Sequence, residues 1–186
     1  MLFHELVPTA MGWAGLLASE RGLLRLTLPR QSRDIAEQDL LAGVATPMRD
    51  KAPFGDLPER LAAYFQGEAI AFLDSVDLSE AAPFKRAVWE AARKVPYGEV
   101  RSYSWLAAEI GKPQARRAVG QALGANPIPI IIPCHRIIGA KGDLRGFRDG
   151  LETKGLLLEL ERGSVSEQEL RLAKAVLRHH DAAGHS

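Results

Sequence analysis

The sequence has almost no cysteine, no long apolar segment and no excess of charge of one sign. Of its 186 residues only Cys134 carries a thiol, which excludes an internal disulfide and the thiolate clusters of structural zinc and iron–sulfur sites. No run approaches the ~18 apolar residues of a membrane span, and the first residues lack the pattern of a secretory signal. We therefore expect a soluble, cytoplasmic protein without a cofactor, a metal or membrane contact.

The composition is that of an ordinary globular protein, with 46% hydrophobic and 25% charged residues. This length fits one domain or two small ones. The net charge of +1 is unevenly distributed, because residues 85–162 hold 14 Lys and Arg against 8 Asp and Glu, and the rest holds 10 against 15. A basic half suits a surface that faces a polyanion. Charges scattered over solvated helix faces remain the alternative.

The first 80 residues carry hydrophobic patterning but no cluster of chemically active side chains. Residues 12–29 predict a β-hairpin that turns at residues 20–22. Asp56, followed closely by a proline, predicts a helix over residues 56–65, and AIAFLD at residues 69–74 predicts a returning strand. We expect this part to have a structural role.

Three helices are predicted after residue 82. Pro83 opens PFKRAVWEAARKV, whose apolar residues follow the helical period. Ser102 precedes the short helix YSWLAAEIG, and QARRAVGQALGAN follows as its partner in a helix-turn-helix outline. The second helix would face DNA with Arg116 or Arg117, since neighbouring helical residues point about 100° apart. Helix pairs of this outline also occur as plain packing units.

Residues 126–139 read NPIPIIIPCHRIIG and contain the lone cysteine. The prolines at 127, 129 and 133 lack backbone donors, so this segment cannot be a central strand and is predicted to be a stiff, buried, extended connection. A thiol needs a base or a cation nearby to react, and His135 and Arg136 are candidates for that environment. The alternative is that Cys134 is a small buried hydrophobe and His135 a structural residue.

The run Pro133–Cys134–His135–Arg136, followed by two isoleucines, resembles the active-site signature of the O6-alkylguanine-DNA alkyltransferases, or methylated-DNA–protein-cysteine methyltransferases. The similarity spans residues 83–163 and includes PYGEVRSYSWLAAEIG, ARRAVGQALGANPIPIIIPCHRIIG and GLETKGLLLELE in the family's order. It implies an α/β (α+β) fold with a small N-terminal sheet-plus-helix domain, residues 1–80. A helical domain with a winged helix-turn-helix, residues 81–163, would bind DNA and accept the alkyl group. Residues 164–186 would add a helix and a disordered tail.

The resemblance also implies a single-turnover reaction on double-stranded DNA that carries O6-alkylguanine. Cys134 would attack the carbon on guanine O6 and remain alkylated. His135 would relay the thiol proton, through a bound water, toward Glu161. Tyr103 would neutralise the departing guanine at N3, and Asn126 would brace the active-site turn with side-chain hydrogen bonds.

A stacked base hides its O6 substituent from a buried thiol, so the nucleotide must rotate out of the duplex. The resemblance assigns Arg117, rather than Arg116, to the gap that the extruded nucleotide leaves. It also places the second helix in the minor groove, where the small residues Ala118, Gly120 and Ala122 would permit close approach. We expect a monomer, and cooperative binding along DNA is left open.

The alkyl pocket is predicted to contain Pro129, Phe147 and Arg148. Phe147 stands where many relatives of the family have tyrosine, and Arg148 and Asp149 stand where small residues are frequent. These larger side chains are expected to narrow the tolerance for bulky adducts.

Three other functions fit parts of the sequence. A non-catalytic sensor of alkylguanine needs the pocket but not the acceptor thiol. A helix-turn-helix regulator leaves the PCHR segment unexplained, and a thiol hydrolase lacks a suggested oxyanion arrangement. The terminal histidines His179, His180 and His185 are interpreted as a solvated tail rather than a metal site.

Overall fold

The computed structural model describes residues 1–45 and 47–163, where a small sheet precedes a mainly helical region. The first region contains strands β1 Leu2–Thr9, β2 Gly12–Ser19, β3 Gly22–Arg30 and β4 Met48–Arg49, with helices α1 Arg33–Leu41 and α2 Leu57–Tyr64. The second contains helices α3 Pro83–Ala92, α4 Tyr103–Glu109, α5 Arg116–Gly124 and α6 Leu151–Glu161, with the short strands β5 Arg101–Ser102 and β6 Ile137–Ile138. The predicted α+β class is confirmed. No helix in these ranges is long and apolar enough to cross a membrane.

The sheet has the order β3-β2-β1-β4, and its first three strands form an antiparallel meander. The predicted hairpin is confirmed, because Ser19 pairs with Gly22 across the turn between β2 and β3. Gly22 adopts φ +145°, and a Cβ there would lie 2.6 Å from the carbonyl oxygen of Ser75. A glycine therefore lets the loop before α3 approach the edge of β3.

The strand predicted at residues 69–74 is wrong. The loop pairs with the sheet only beyond this segment, through a parallel bridge between Val76 and Leu23. Ile70 and Phe72 pack against the core and Leu73 is 90% exposed, so the segment alternates like a strand, but its backbone pairs with no strand among the described residues. The loop is instead fixed at Asp77, which accepts hydrogen bonds from Ser19 and Ser79.

The predicted helices near Asp56, Pro83, Ser102 and Arg116 are all present. Ser102 caps α4 as its sequence position suggests, since its hydroxyl accepts a hydrogen bond from the Trp105 amide at 3.0 Å. The placement of Ala122 at the DNA face is wrong. It is buried beside Val119 and Leu123, and its carbonyl accepts a hydrogen bond from the Trp89 indole at 2.8 Å.

The larger of two apolar clusters among the described residues joins the two halves of the chain. It includes Leu26 of β3, Tyr64 of α2, Ile132 and Leu157 of α6. The division into domains at residue 80 stays a prediction. The helix and the histidine tail predicted for residues 164–186 lie outside the described residues.

Candidate active site

The cysteine lies at the end of a tightly turned, buried segment. Residues 128–132 are buried, and the Ile132 amide donates to the Ile128 carbonyl at 2.9 Å. Ile130 has φ 73°, a left-handed conformation that β-branched residues rarely adopt. The expectation of an extended connection is therefore wrong for this part, although it is not a central strand. A 3-10 turn at Cys134–Arg136 follows, and β6 then pairs in parallel with β5.

Asn126 connects the beginning and the end of this turn. Its side-chain Nδ2 donates to the Ile132 carbonyl at 2.8 Å and to Cys134 Sγ at 3.1 Å, while its Oδ1 accepts from the Ile128 amide at 2.9 Å. All three hydrogen bonds are buried. The amide therefore fixes the position of the sulfur and donates a hydrogen bond to it.

His135 directs one ring nitrogen at Glu161. The distance from His135 Nε2 to Glu161 Oε1 is 2.6 Å, and both side chains are almost fully buried. An ionised carboxylate only accepts hydrogen bonds, so Nε2 carries the proton and Nδ1 is the basic nitrogen. His135 Nδ1 is buried and has no hydrogen-bond partner among the described residues.

Glu161, at the end of α6, receives hydrogen bonds from several elements. Arg136 binds both carboxylate oxygens at 2.9 Å, a bidentate geometry that compensates a buried charge. The Tyr64 hydroxyl donates to Oε1 at 2.8 Å, and the Gly98 amide donates to Oε2 at 3.1 Å. Arg136 also donates to the Val95 carbonyl, so its side-chain hydrogen bonds hold Glu161 and the backbone rather than the thiol.

The protonation states of this cluster follow from burial and pairing. Burial raises the pKa of Cys134 to about 11, although Asn126 acts against that shift, so the sulfur is a neutral thiol at pH 7. Burial likewise lowers the pKa of His135, which keeps the imidazole neutral. Burial opposes ionisation of Glu161, but hydrogen bonds and charges from His135 and Arg136 outweigh it and lower its pKa to about 2. The site thus pairs a thiol with a neutral base that an anion orients.

Tyr103, the first residue of α4, lies on the other side of the sulfur. Its hydroxyl donates to the Arg145 carbonyl at 2.8 Å. Lys154, which is fully buried on α6, donates to the same carbonyl at 2.8 Å and to the Ile137 carbonyl at 2.6 Å. Burial raises the pKa of Tyr103, and the nearby Cys134 adds to the shift, so the phenol keeps its proton. Burial lowers the pKa of Lys154 to about 8.

The residues predicted to contact DNA line a cleft of about 560 Å³ between α5 and the loop at residues 139–146. Arg116, Arg117, Gly120 and Tyr103 all belong to its lining. Both arginines are exposed. A Cβ at Gly120 would lie 3.8 Å from the Tyr103 ring, so Tyr103 packs directly beside α5. Ala118 is partly exposed on the same helix.

The thiol lines a different cavity, of about 490 Å³. Pro129, Phe147 and Arg148 line it together with Cys134, as the sequence predicts, and Leu123 of α5 forms part of its wall. The cavity therefore lies beside the helix of Arg117, but Arg117 itself lines the neighbouring cleft. Tyr103 lines the cleft, and it lies close enough to Cys134 for the sulfur to raise the pKa of the phenol.

Sequence reasoning missed two residues and misjudged a third. Tyr64 lies in the helix predicted over residues 56–65, and its role is missing from that prediction although a buried tyrosine hydroxyl needs a partner. The burial of Lys154 is missing from the sequence analysis. A lysine among the apolar residues of a helix would have indicated it. Arg136 was expected to influence the thiol, whereas it neutralises Glu161.

Comparisons with known proteins agree with this geometry. Residues 83–163 match the family described as 6-O-methylguanine DNA methyltransferase, DNA binding domain. A methylated-DNA–protein-cysteine methyltransferase of Methanosarcina barkeri is 38% identical over 88% of this chain and 99% of its own length. The Salmonella typhimurium protein of the same name is 39% identical over 86% and 95%. A crystal structure of Mycobacterium tuberculosis OGT in complex with DNA has a TM-score of 0.74 and 37% identity, covering 91% of this chain and 99% of its own.

Proposed function

The chain belongs to the methylated-DNA–protein-cysteine methyltransferase family, and we propose that it repairs DNA by moving the alkyl group of O6-alkylguanine to Cys134. The observation that carries this proposal is a buried thiol beside a neutral histidine that an ionised glutamate orients. This combination supplies a nucleophile, a base and an orienting acid. The alkyl group stays on the sulfur, so each molecule acts once.

The thiol proton leaves through His135. Sγ accepts a hydrogen bond from Asn126 Nδ2 rather than contacting His135, so we infer that one water joins the thiol to His135 Nδ1, which has no partner among the described residues. As Nδ1 takes the proton, the imidazole becomes a cation, and Glu161 stabilises it across the 2.6 Å hydrogen bond. The sulfur then attacks the alkyl carbon in line with the bond to guanine O6.

Tyr103 supplies a proton to guanine N3 as the electron pair of the broken bond moves into the base. Its raised pKa favours this role, because the phenol keeps its proton until charge develops on guanine. The phenol donates to the Arg145 carbonyl in the base-free protein. We infer that an entering base takes the place of that carbonyl, and that the loop at residues 143–149 shifts away from Tyr103.

Arg117 fills the space in the DNA stack from which the nucleotide has rotated. Its exposed position at the N-terminal end of α5, in the cleft that also contains Tyr103, supports this role. Arg116 lines the same cleft, and we assign it to a DNA phosphate. Every group in this scheme belongs to one chain, which supports action as a monomer on double-stranded DNA.

Intact-mass analysis tests the proposal. After incubation with a duplex that contains O6-methylguanine, the protein is expected to gain the mass of one methyl group, and Cys134→Ala is expected to gain none. An unmodified duplex is the control for nonspecific alkylation. Tight binding of the damaged duplex without a change in mass would overturn alkyl transfer in favour of a damage sensor.

A further inference from the structure

The cavity that contains the thiol has charged walls. It measures about 490 Å³, and in the proposed function it receives the alkyl group together with part of the extruded base. Its walls come from both halves of the chain. Arg25 and Arg30 of β3 and Asp39 of α1 lie on one side, and Arg148 and Asp149 of the active-site loop lie on the other.

Three arginines and two aspartates line this cavity, and the two aspartates share one arginine. Arg30 Nε donates to Asp39 at 2.6 Å, and Arg30 Nη2 donates to Asp149 at 3.4 Å. Asp149 is therefore drawn to β3 instead of to its neighbour Arg148. The lining keeps an excess of positive charge beside a thiol that is neutral at pH 7.

The excess charge resides on Arg25 and Arg148. Arg25 donates to the carbonyls of Leu40 and Ala42, which are neutral acceptors and leave its charge uncompensated. Arg148 is exposed and makes no hydrogen bond or ion pair within residues 1–45 and 47–163. Its entire fork of donors is available to a substrate, whereas Arg25 commits Nη1 to two carbonyls.

On the basis of the proposed function, we propose that Arg148 selects O6-alkylguanines whose alkyl group ends in a carboxylate, of which O6-carboxymethylguanine is the simplest. A guanidinium binds a carboxylate with two parallel hydrogen bonds, which gives both affinity and orientation. Such a group would extend from the reacting carbon into the cavity that Arg148 lines. A methyl adduct makes no such contact.

Alkyl transfer from this substrate brings two negative charges together, and a cation is needed to offset their repulsion. Sulfur attacks the CH₂ carbon of O6–CH₂–COO⁻, an S–C bond forms, and the C–O bond breaks with its electron pair passing to guanine. His135 takes the thiol proton and Tyr103 protonates N3, which leaves S-carboxymethylcysteine and neutral guanine. Negative charge develops on sulfur next to a carboxylate, and Arg148 offsets that repulsion.

Single-turnover rates test this proposal on three matched duplexes, which carry O6-carboxymethylguanine, the neutral O6-carbamoylmethylguanine or O6-methylguanine at one position. The wild-type protein is expected to react with all three. In Arg148→Gln the ratio of the carboxymethyl rate to the carbamoylmethyl rate is expected to fall about tenfold, the size of one charged hydrogen bond. Arg148→Lys should lower the ratio less and Arg148→Glu more.

Arg49→Gln is the matched control, since Arg49 is exposed on β4, pairs with Glu5 and lines neither the cavity nor the cleft. Its ratio is expected to equal that of the wild type. Equal slowing of all three duplexes by Arg148→Gln would assign Arg148 to a DNA phosphate and overturn the selectivity. Absence of carboxymethyl transfer by the wild type would also overturn it. Failure on O6-methylguanine as well would instead refute the proposed function.

Discussion

The groups behind the sulfur and the groups in front of it are built in opposite ways. Behind Cys134, the charges of Arg136 and Glu161 are buried and paired in a bidentate ion pair. In front, Arg117 and Arg148 are exposed and lack partners among the described residues. In the proposed function, the rear groups are arranged before substrate arrives, whereas the front groups acquire partners only when DNA binds. We therefore expect stability to depend on the rear set and recognition to depend on the front set.

The largest expected effect is on the stability of the rear set. Arg136→Met leaves the buried Glu161 carboxylate without its cation, so the free energy of unfolding should fall by about 3–5 kcal/mol. Urea denaturation at pH 7 measures this loss of free energy of unfolding. Arg117→Met, a matched change at the front, should alter stability by no more than about 0.5 kcal/mol. Equal losses in the two variants would remove the distinction between rear and front.

A smaller effect is expected on the proton transfer. Because burial lowers the pKa of His135 from its ordinary value, the imidazole is neutral at pH 7, and the transfer rate should stay flat on mild acidification from there. At more acidic pH the ring gains a proton and cannot accept another, so the rate should decline. His135→Gln should be slower by about a hundredfold, as expected for loss of a general base. A rate that rises on acidification would contradict this assignment.

The smallest effect concerns the front set. Arg117→Ala is expected to slow methyl transfer from duplex DNA about tenfold, since stabilising an extruded nucleotide contributes on the order of a kcal/mol or more. Transfer from free O6-methylguanine should change much less, because the free base has no stack to leave. Arg116→Ala serves as the comparison on the same helix. Equal slowing with duplex and free base would refute the stacking role.

The parts that the sequence predicts are those where neighbours in the chain are also neighbours in space. Ser102 caps α4 at three residues' distance, and Cys134 and His135 occupy consecutive positions in one turn. Resemblance added Glu161, which lies far along the chain from His135. These predictions needed either local geometry or a known signature.

The rest depends on tertiary packing that no local pattern encodes. Tyr64 reaches Glu161 across 97 residues, and Arg30 reaches Asp149 across 119. The isoleucine run appears extended in the sequence because prolines and β-branched residues favour that conformation. Instead, Ile130 adopts φ 73°, and the hydrogen bonds of Asn126 hold the surrounding turn.

The hydroxyl of Tyr64 has a consequence for how this protein can be divided. Tyr64 belongs to α2, yet it completes the hydrogen bonding of the carboxylate that orients His135. A fragment that began at Pro83 would keep the thiol, the histidine and the glutamate but lose this donor and the apolar wall around it. The acceptor half is thus completed by a residue of the half that precedes it, and α2 helps to hold the histidine in its orientation.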